Sequence, residues 1–180
     1  MISHRHRCVF VHQRKCAGTS IIRAFGLTPE DPDWHVANDG ALSPEFARIP
    51  ADYLRFAVIR NPWDRFVSGW KYCASTRQRD LPDVLAHLPS EGHDYRHLTR
   101  PQHETISHRD GTLAVDVVLR FETLQSDFDA LCDRIGMPRQ PLQHLNRTAR
   151  ADYRKYFDPD SLQRFNAHFA IDIARFGYTF

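Results

Sequence analysis

The stretch from residue 13 to residue 20, QRKCAGTS, combines the residue types that bind a phosphate-like anion. Lys15 supplies a compact positive charge, and Gly18 lets the backbone approach a ligand closely. Thr19 and Ser20 add hydroxyl donors at the start of a predicted short helix, where backbone N–H groups and the helix dipole favour negative charge. This loop therefore predicts an anion-binding site.

A second set of anion-binding residues occurs in the stretch 55–70, RFAVIRNPWDRFVSGW. Arg60 comes at the end of a predicted buried strand, where its guanidinium can donate two hydrogen bonds to a phosphate, and Ser68 lies on the following helix. Structural interpretations stay open for both, because Arg60 can pair with Asp64 and a helical serine needs no ligand. Two such strand–loop–helix units in succession indicate a ligand with two separated phosphate-type groups.

Both units point to phosphate binding without a metal ion. The Walker pattern GxxxxGK[ST] is absent, because the lysine of the first loop comes before its glycine. No acidic residue occurs before Glu30, so none stands near the loop to help hold Mg²⁺. The spacing of His97, His103 and His108 fits neither a helix face nor a zinc finger. The sequence thus predicts no metal site.

Alternating strand and helix signals predict the elements that position these loops, in the manner of a parallel α/β fold. Short apolar runs predict strands at 7–12, 56–59 and 115–120. Helical spacing and capping residues predict helices at about 19–25, from Pro62 onward, and at 81–88, 122–135 and 159–175, with a short one near 43–48. The remainder of the polar stretch 76–112 is typical of loop. Since no linker or repeat interrupts the chain, we expect one domain over residues 1–180.

The composition excludes several function classes. The 180 residues carry 24 Lys and Arg against 22 Asp and Glu, and a net charge of +2 is too small to indicate general nucleic-acid binding. No run approaches the roughly 20 apolar residues of a membrane span, and no signal peptide opens the chain, so we expect a cytoplasmic protein. The four cysteines lack CxxC spacing and are expected to be reduced and mostly buried, with Cys16 the one that the basic loop could make reactive.

Two motifs together resemble those of a known enzyme family. VFVHQRKCAGTSI is similar to the 5′-phosphosulfate loop of the Golgi-type carbohydrate sulfotransferases (sulfotransferase family 2) and their bacterial relatives. RFAVIRNPWDRFVSGW is similar to their 3′-phosphate motif. The resemblance continues in VLRFETLQSDFDALCDRIG, in HLNRT and in the closing FGYTF, so it covers nearly the whole chain in order.

The resemblance implies a P-loop-NTPase-like, three-layer α/β fold with a small central parallel sheet flanked by helices. It also implies metal-free binding of 3′-phosphoadenosine 5′-phosphosulfate (PAPS), transfer of its sulfuryl group to a hydroxyl, and release of 3′-phosphoadenosine 5′-phosphate (PAP). The 5′-phosphosulfate would be held by Lys15, Ala17, Gly18, Thr19 and Ser20, and the 3′-phosphate by Arg60 and Ser68. Arg14 stands where the family commonly has Pro, and Cys16 where it usually has Thr; Arg14 is counted among the expected donor-binding residues.

The resemblance also bears on catalysis. Sulfuryl transfer should be in-line and loose, like phosphoryl transfer, so Lys15 would stabilise the charge that grows on the leaving phosphate. As general base for the acceptor hydroxyl, His35 is the first choice, because related enzymes often carry a histidine between the two motifs. The alternatives are Glu30, Asp31, Asp33, Asp39 and His103. The stretch 76–112 is expected to cover the nucleotide or line the acceptor cleft, with Arg96, Arg100 and His103 available for contacts.

Two other functions stay open. A nucleotide or small-molecule kinase on a similar fold would need the Walker order and a magnesium carboxylate, which are missing here. A non-catalytic nucleotide-binding protein would result if so short a chain lacks an acceptor site. For a sulfotransferase, the resemblance favours a saccharide acceptor, although a lipid-linked sugar or a small metabolite fits the same residues. Exposed aromatic surface on a chain of this size would suit a homodimer.

Overall fold

The structure is a computed structural model that describes residues 1–28, 30–31, 40, 46–143 and 151–180, with only the backbone described at residue 47. The chain divides into two compact units. Unit 1 comprises Met1–Ile59 and Glu104–Asn146, and unit 2 comprises Arg60–His103 and Arg147–Phe180. The expectation of a single domain over residues 1–180 stays a prediction.

The described residues contain four strands and eight α-helices. The strands are β1 (Ile2–Ser3), β2 (Cys8–Val11), β3 (Leu54–Ile59) and β4 (Val117–Arg120). The helices are α1 (Gly18–Ala24), α2 (Pro62–Tyr72), α3 (Leu81–Ala86), α4 (Gly92–Asp94), α5 (Gln102–Ile106), α6 (Leu124–Ile135), α7 (Pro159–His168) and α8 (Ala170–Phe176). Within the described ranges, no helix has both the length and the apolar character needed to cross a bilayer.

Unit 1 is built on a four-stranded sheet in the order β1-β2-β3-β4. β2 runs parallel to β3, with Val11 opposite Ala57, and β3 runs parallel to β4, with Ile59 opposite Arg120. Parallel neighbours require a crossover connection, and α1 lies in the one between β2 and β3. This arrangement confirms the predicted α/β class with a mostly parallel sheet.

The core of unit 1 packs α1 and α6 against the sheet. Phe10 and Phe56, on neighbouring strands, stack with ring centroids 5.1 Å apart. Phe25, at the end of α1, contacts both Phe56 and Phe128 of α6. Burial also raises the pKa of the Cys8 thiol to about 12, so this group stays protonated at neutral pH.

In unit 2, the sequence of α2 sets both the start of the helix and its buried face. The Asn61 side chain accepts a hydrogen bond from the Asp64 N–H at 3.1 Å, and Pro62 occupies the first helical position, where no N–H is needed. Apolar residues at helical spacing on α2 then pack with two rings of the closing segment: Trp63, Phe66, Val67 and Trp70 with Phe165 and Phe169.

Two local predictions were wrong, and one strand was not predicted. The short antiparallel β1 was missed, since two residues carry no periodicity. The stretch 76–112, expected to be mostly loop, contains α4, α5 and a π-helical turn at Tyr95–Thr99. The predicted helix at 159–175 divides at Phe169, a 1% exposed ring that stacks 4.4 Å from Phe165. No Gly or Pro marks that division in the sequence.

Gly136 offers a test of the backbone at the end of α6. It has φ 66° and ψ 33°, in the left-handed region, and an added Cβ would meet nothing within 4 Å. We expect Gly136→Ala to lower the free energy of unfolding by about 1–2 kcal/mol through backbone strain alone, as measured by urea denaturation. Gly136→Asn is the matched control, because Asn tolerates this conformation better. Equal losses for Ala and Asn would contradict the strain argument.

Candidate functional site

The first candidate element is the loop between β2 and α1 in unit 1. All four residues of β2 are buried, so the chain leaves the sheet at a fixed point after Val11. Gln13 is 1% exposed, whereas Arg14 and Lys15 are only half-buried. The loop thus brings two cations toward the surface directly after a buried strand, as the sequence predicts.

The backbone of this loop is in an unusual conformation. Lys15 has φ 67° and Ala17 has φ 57°, both in the left-handed region, whereas Cys16 between them does not. Non-glycine residues occupy this region at a cost of about 1–2 kcal/mol each, and such residues cluster at ligand sites. Alternation of this kind also forms concave groups of N–H donors that bind anions. Sequence patterns gave no sign of it, because neither residue is Gly or Asn.

Gly18 is also required for packing within unit 1, in addition to its predicted contact with a ligand, which stays a prediction. A Cβ at this position would lie 1.9 Å from Nε2 of His12, so the glycine makes room for the His12 ring. That ring also packs 5.6 Å from Phe10. His12, which the sequence analysis did not single out, is therefore part of the wall of this loop.

The remaining loop residues differ in how deeply they are buried. Cys16 is fully buried and its thiol donates to the Arg14 carbonyl at 3.5 Å, which disfavours a reactive surface thiol. Ser20 is 6% exposed and Thr19 is half-buried, so the two hydroxyls are not equally accessible. All four cysteines are free and buried, as predicted.

The second candidate element begins at Arg60, the residue after β3 and the first of unit 2. Its Nε donates to Asp64 Oδ2 at 2.7 Å, and Nη2 lies 2.6 Å from the same oxygen. The structural pairing that the sequence left open is therefore present. Asp64 engages two of the five N–H donors of the guanidinium, so the ion pair orients the group without using all of its donors.

Ser68 lies on the same helix face as Asp64, because residues four apart are neighbours on a helix. It is half-buried, and within the ranges that the structure describes its hydroxyl has no hydrogen-bond partner. Arg60 pairs with Asp64 one turn before Ser68. The geometry of unit 2 therefore brings the two predicted residues of the 3′-phosphate motif along one face of α2.

Gln102 is a site residue that the sequence analysis missed. Its side chain is fully buried, and its amide makes two hydrogen bonds of 2.9 Å with the main chain of Arg60, one to N–H and one to C=O. The two residues are 42 positions apart, and no local pattern connects them. Only the proline directly before it, Pro101, could have marked Gln102 as a helix start.

Candidates for the general base differ in what the structure describes of them. His35, Asp33 and Asp39 lie outside the described residues. His103 is 19% exposed, and its Nδ1 lies 2.7 Å from Oδ1 of the buried Asp172. A hydrogen bond from Thr28 lowers the pKa of Glu30, which makes this carboxylate a weaker base.

One group of potential metal ligands occurs in the described part of the chain. Ligand atoms of Cys73, His93 and Asp94 lie within 4.8 Å of one another. Hydrogen bonds account for this cluster, since Ser75, His93 and Cys73 donate to Asp94 and lower its pKa. His97 and His103 are not in it, so it is not the histidine set considered above.

Comparison with known proteins gives the family. A protein-family model described as "Sulfotransferase family" matches residues 1–179. Neither a search of curated proteins nor a search of solved structures returned a match. The match includes the β2–α1 loop, Arg60, Ser68 and Gln102. The chain therefore belongs to the sulfotransferase family, whose P-loop-like α/β fold agrees with the mostly parallel sheet of unit 1.

Proposed function

We propose that this sulfotransferase uses PAPS as its donor and transfers the sulfuryl group to a hydroxyl of a carbohydrate or another small acceptor, a reaction of the EC 2.8.2 type. The observation that carries the proposal is the basic β2–α1 loop, in which Lys15 precedes Gly18 and a pair of hydroxyls. Membership of the family supports sulfuryl transfer in general. The loop supports a phosphosulfate donor bound without a metal ion.

The 5′-phosphosulfate is assigned to the β2–α1 loop. The contacting residues are Arg14, Lys15, Ala17, Gly18, Thr19 and Ser20. Support comes from the left-handed backbone at Lys15 and Ala17, because a strained loop is retained where its N–H groups serve a ligand. Half-buried Lys15 and Arg14 then supply the charge that a metal ion supplies in nucleotide kinases.

The 3′-phosphate is assigned to Arg60 and Ser68. The Arg60–Asp64 ion pair supports this assignment because it directs the guanidinium along the face of α2 that carries Ser68. A phosphate bound there shares the guanidinium with Asp64. Binding then depends on arginine, because its planar group carries enough N–H donors to serve both anions. The Ser68 hydroxyl would donate one further hydrogen bond to the phosphate without adding a charge.

The chemical step transfers one group between two oxygens. The acceptor oxygen attacks sulfur in line with the bond from sulfur to the 5′-phosphate oxygen. A new S–O bond forms as the old one breaks, the electron pair of the broken bond leaves with PAP, and the proton of the hydroxyl passes to a general base. Lys15 stabilises the charge that grows on the leaving phosphate, and the loop amides hold the group still.

His35 is our proposed base, and His103 is the alternative that has structural support. The buried Asp172 carboxylate accepts from Nδ1 of His103, which holds the ring in the tautomer whose Nε2 can take a proton. The described carboxylate candidates, Glu30 and Asp31, have no such support, because both already accept hydrogen bonds from Thr28. The two histidines are separable by mutation.

Replacement of Lys15 tests the catalytic assignment. Lys15→Met keeps the apolar stem of the side chain and removes the charge. We expect kcat to fall on the order of 10²–10³-fold, as when one preorganised donor is lost elsewhere, while the unfolding transition stays in place. Transfer of radiolabelled sulfate from PAPS to a screened acceptor gives the rate. Lys15→Arg, which keeps the charge, should retain more activity; near wild-type turnover in Lys15→Met would refute the role.

Calorimetry with PAP separates the three candidate functions. Binding of PAP in the presence of EDTA supports the sulfotransferase, and magnesium-dependent ATP binding would support a kinase. Tight PAP binding without transfer to any sugar, lipid or small alcohol would indicate a nucleotide-binding protein instead.

Ser68→Ala tests the 3′-phosphate assignment. Since a hydrogen bond to a charged group contributes about 1.5 kcal/mol or more, we expect PAP to bind about tenfold more weakly. Adenosine 5′-phosphosulfate, which lacks the 3′-phosphate, is the matched ligand control and should bind as it does to the wild type. An equal change for both ligands would place Ser68 outside this subsite.

Two histidine variants decide the base. We expect His35→Gln to lose most of its kcat, to keep its PAP affinity and to lose the limb of the pH–rate profile that rises with base deprotonation. His103→Asn keeps an amide near the Nδ1 position and should retain activity if His35 is the base. The opposite outcome would transfer the role to His103.

A further inference from the structure

The side-chain amide of Gln102 makes the two main-chain hydrogen bonds with Arg60 that a neighbouring strand would otherwise make. Its Oε1 accepts from the Arg60 N–H and its Nε2 donates to the Arg60 C=O, each at 2.9 Å. Arg60 follows the last residue of β3, and the chain then turns at Asn61 into α2. The side-chain amide of Gln102 thus pairs with the peptide groups of Arg60 at the residue that follows the end of β3.

Gln102 is itself anchored by a buried carboxylate. Asp172 is 0% exposed, and its Oδ2 accepts from the Gln102 N–H at 2.6 Å. Its Oδ1 accepts from the His103 N–H at 2.9 Å and from Nδ1 of that ring at 2.7 Å. Three donors therefore satisfy a carboxylate that would be costly to bury alone. The start of α5 is fixed to α8 by these bonds.

The hydrogen bonds from Gln102, which Asp172 anchors, fix the direction in which the Arg60 side chain leaves the backbone. Two hydrogen bonds to one residue fix both of its peptide groups, and hence the direction of its Cα–Cβ bond. From the other end, Asp64 holds the guanidinium. An arginine held at both its peptide groups and its guanidinium keeps one orientation in the absence of ligand. Less side-chain entropy is then lost when a ligand binds.

We propose that Gln102 is the positioning residue of the 3′-phosphate subsite and that Asp172 anchors it there. This inference rests on the proposed function, and it assigns to the pair the preference for a 3′-phosphorylated nucleotide. Gln102 acts through Arg60 and touches no ligand. Displacement of a positioned group by about 1 Å is enough to cost up to 10²-fold in binding or rate, so a small shift at Arg60 is expected to be measurable.

Gln102→Met is the direct test, because methionine has a similar length and neither hydrogen bond. The measured quantities are the dissociation constants of PAP and of adenosine 5′-phosphosulfate, by calorimetry on the full chain, with the unfolding midpoint as a check. We expect PAP to bind about 10- to 100-fold more weakly and adenosine 5′-phosphosulfate to bind unchanged. In an Arg60→Lys background the same substitution should add little, because Gln102 acts through that arginine.

Thr76→Val is the matched control. Thr76 is 1% exposed and donates a hydrogen bond to the Trp70 carbonyl in the same unit, so its loss lowers stability without touching Arg60. It should leave the ratio of the two dissociation constants at the wild-type value. If Gln102→Met does not fold, Gln102→Glu replaces it, because the carboxylate still accepts from Arg60 N–H but repels the Arg60 carbonyl.

The outcomes separate the two levels of inference. A wild type that binds PAP no more tightly than adenosine 5′-monophosphate, which lacks only the 3′-phosphate, would remove the proposed 3′-phosphate subsite itself. A wild type that has the preference, with Gln102 variants that weaken both ligands equally or neither, would overturn the positioning role alone. Variants at Gln102 that never fold would make it a determinant of the fold only, and would overturn the role as well.

Discussion

The parallel pairing of β2 with β3 is the interaction on which the position of the β2–α1 loop, the proposed 5′-phosphosulfate site, depends. Its register, from Cys8 opposite Leu54 to Val11 opposite Ala57, buries all four residues of β2 and fixes where the chain leaves the sheet. The loop then has only six residues before α1 begins at Gly18. Two of these six residues, Lys15 and Ala17, have left-handed backbone, which persists only where the surrounding structure imposes it.

The two cations assigned to the donor are held by different physical means. The position of Lys15 is set by its own left-handed backbone conformation. This conformation destabilises the fold by about 1–2 kcal/mol, which other interactions in unit 1 must offset. Arg60 has no left-handed backbone and is held by side chains, with Gln102 on its peptide groups and Asp64 on its guanidinium. The first device resists rearrangement because the loop is short. The second depends on two separate side chains, Asp64 four residues away and Gln102 at a distance of 42 residues, which can be altered one at a time.

Much of this could be predicted from sequence, and the remainder has identifiable reasons. The parallel α/β class, the two motifs and the start of α2 follow from local signals such as Asn61-Pro62 and buried apolar runs. The packing of Gly18 against the His12 ring was not predicted, because only the folded loop creates this contact. Gln102 and Asp172 were missed altogether, since 70 residues separate them and each looks unremarkable alone. Periodicity reports which face of an element is buried, and it does not report which polar groups meet there.

If Arg60 binds the 3′-phosphate as proposed, Asp64 constrains how it can do so without a metal ion. A carboxylate on the guanidinium of Arg60 lowers the net positive charge available to a ligand, and a bound phosphate would add a second anion beside it. Attraction by net charge is then weak, and binding must come from directed hydrogen bonds that one planar cation donates to two anions at once. Lysine, a point charge with rotating donors, is not equivalent in such an arrangement. Under the proposed 3′-phosphate assignment, the orientation of Arg60 thus matters more than its charge, which is the reason for proposing a fully buried, uncharged amide as its positioning residue.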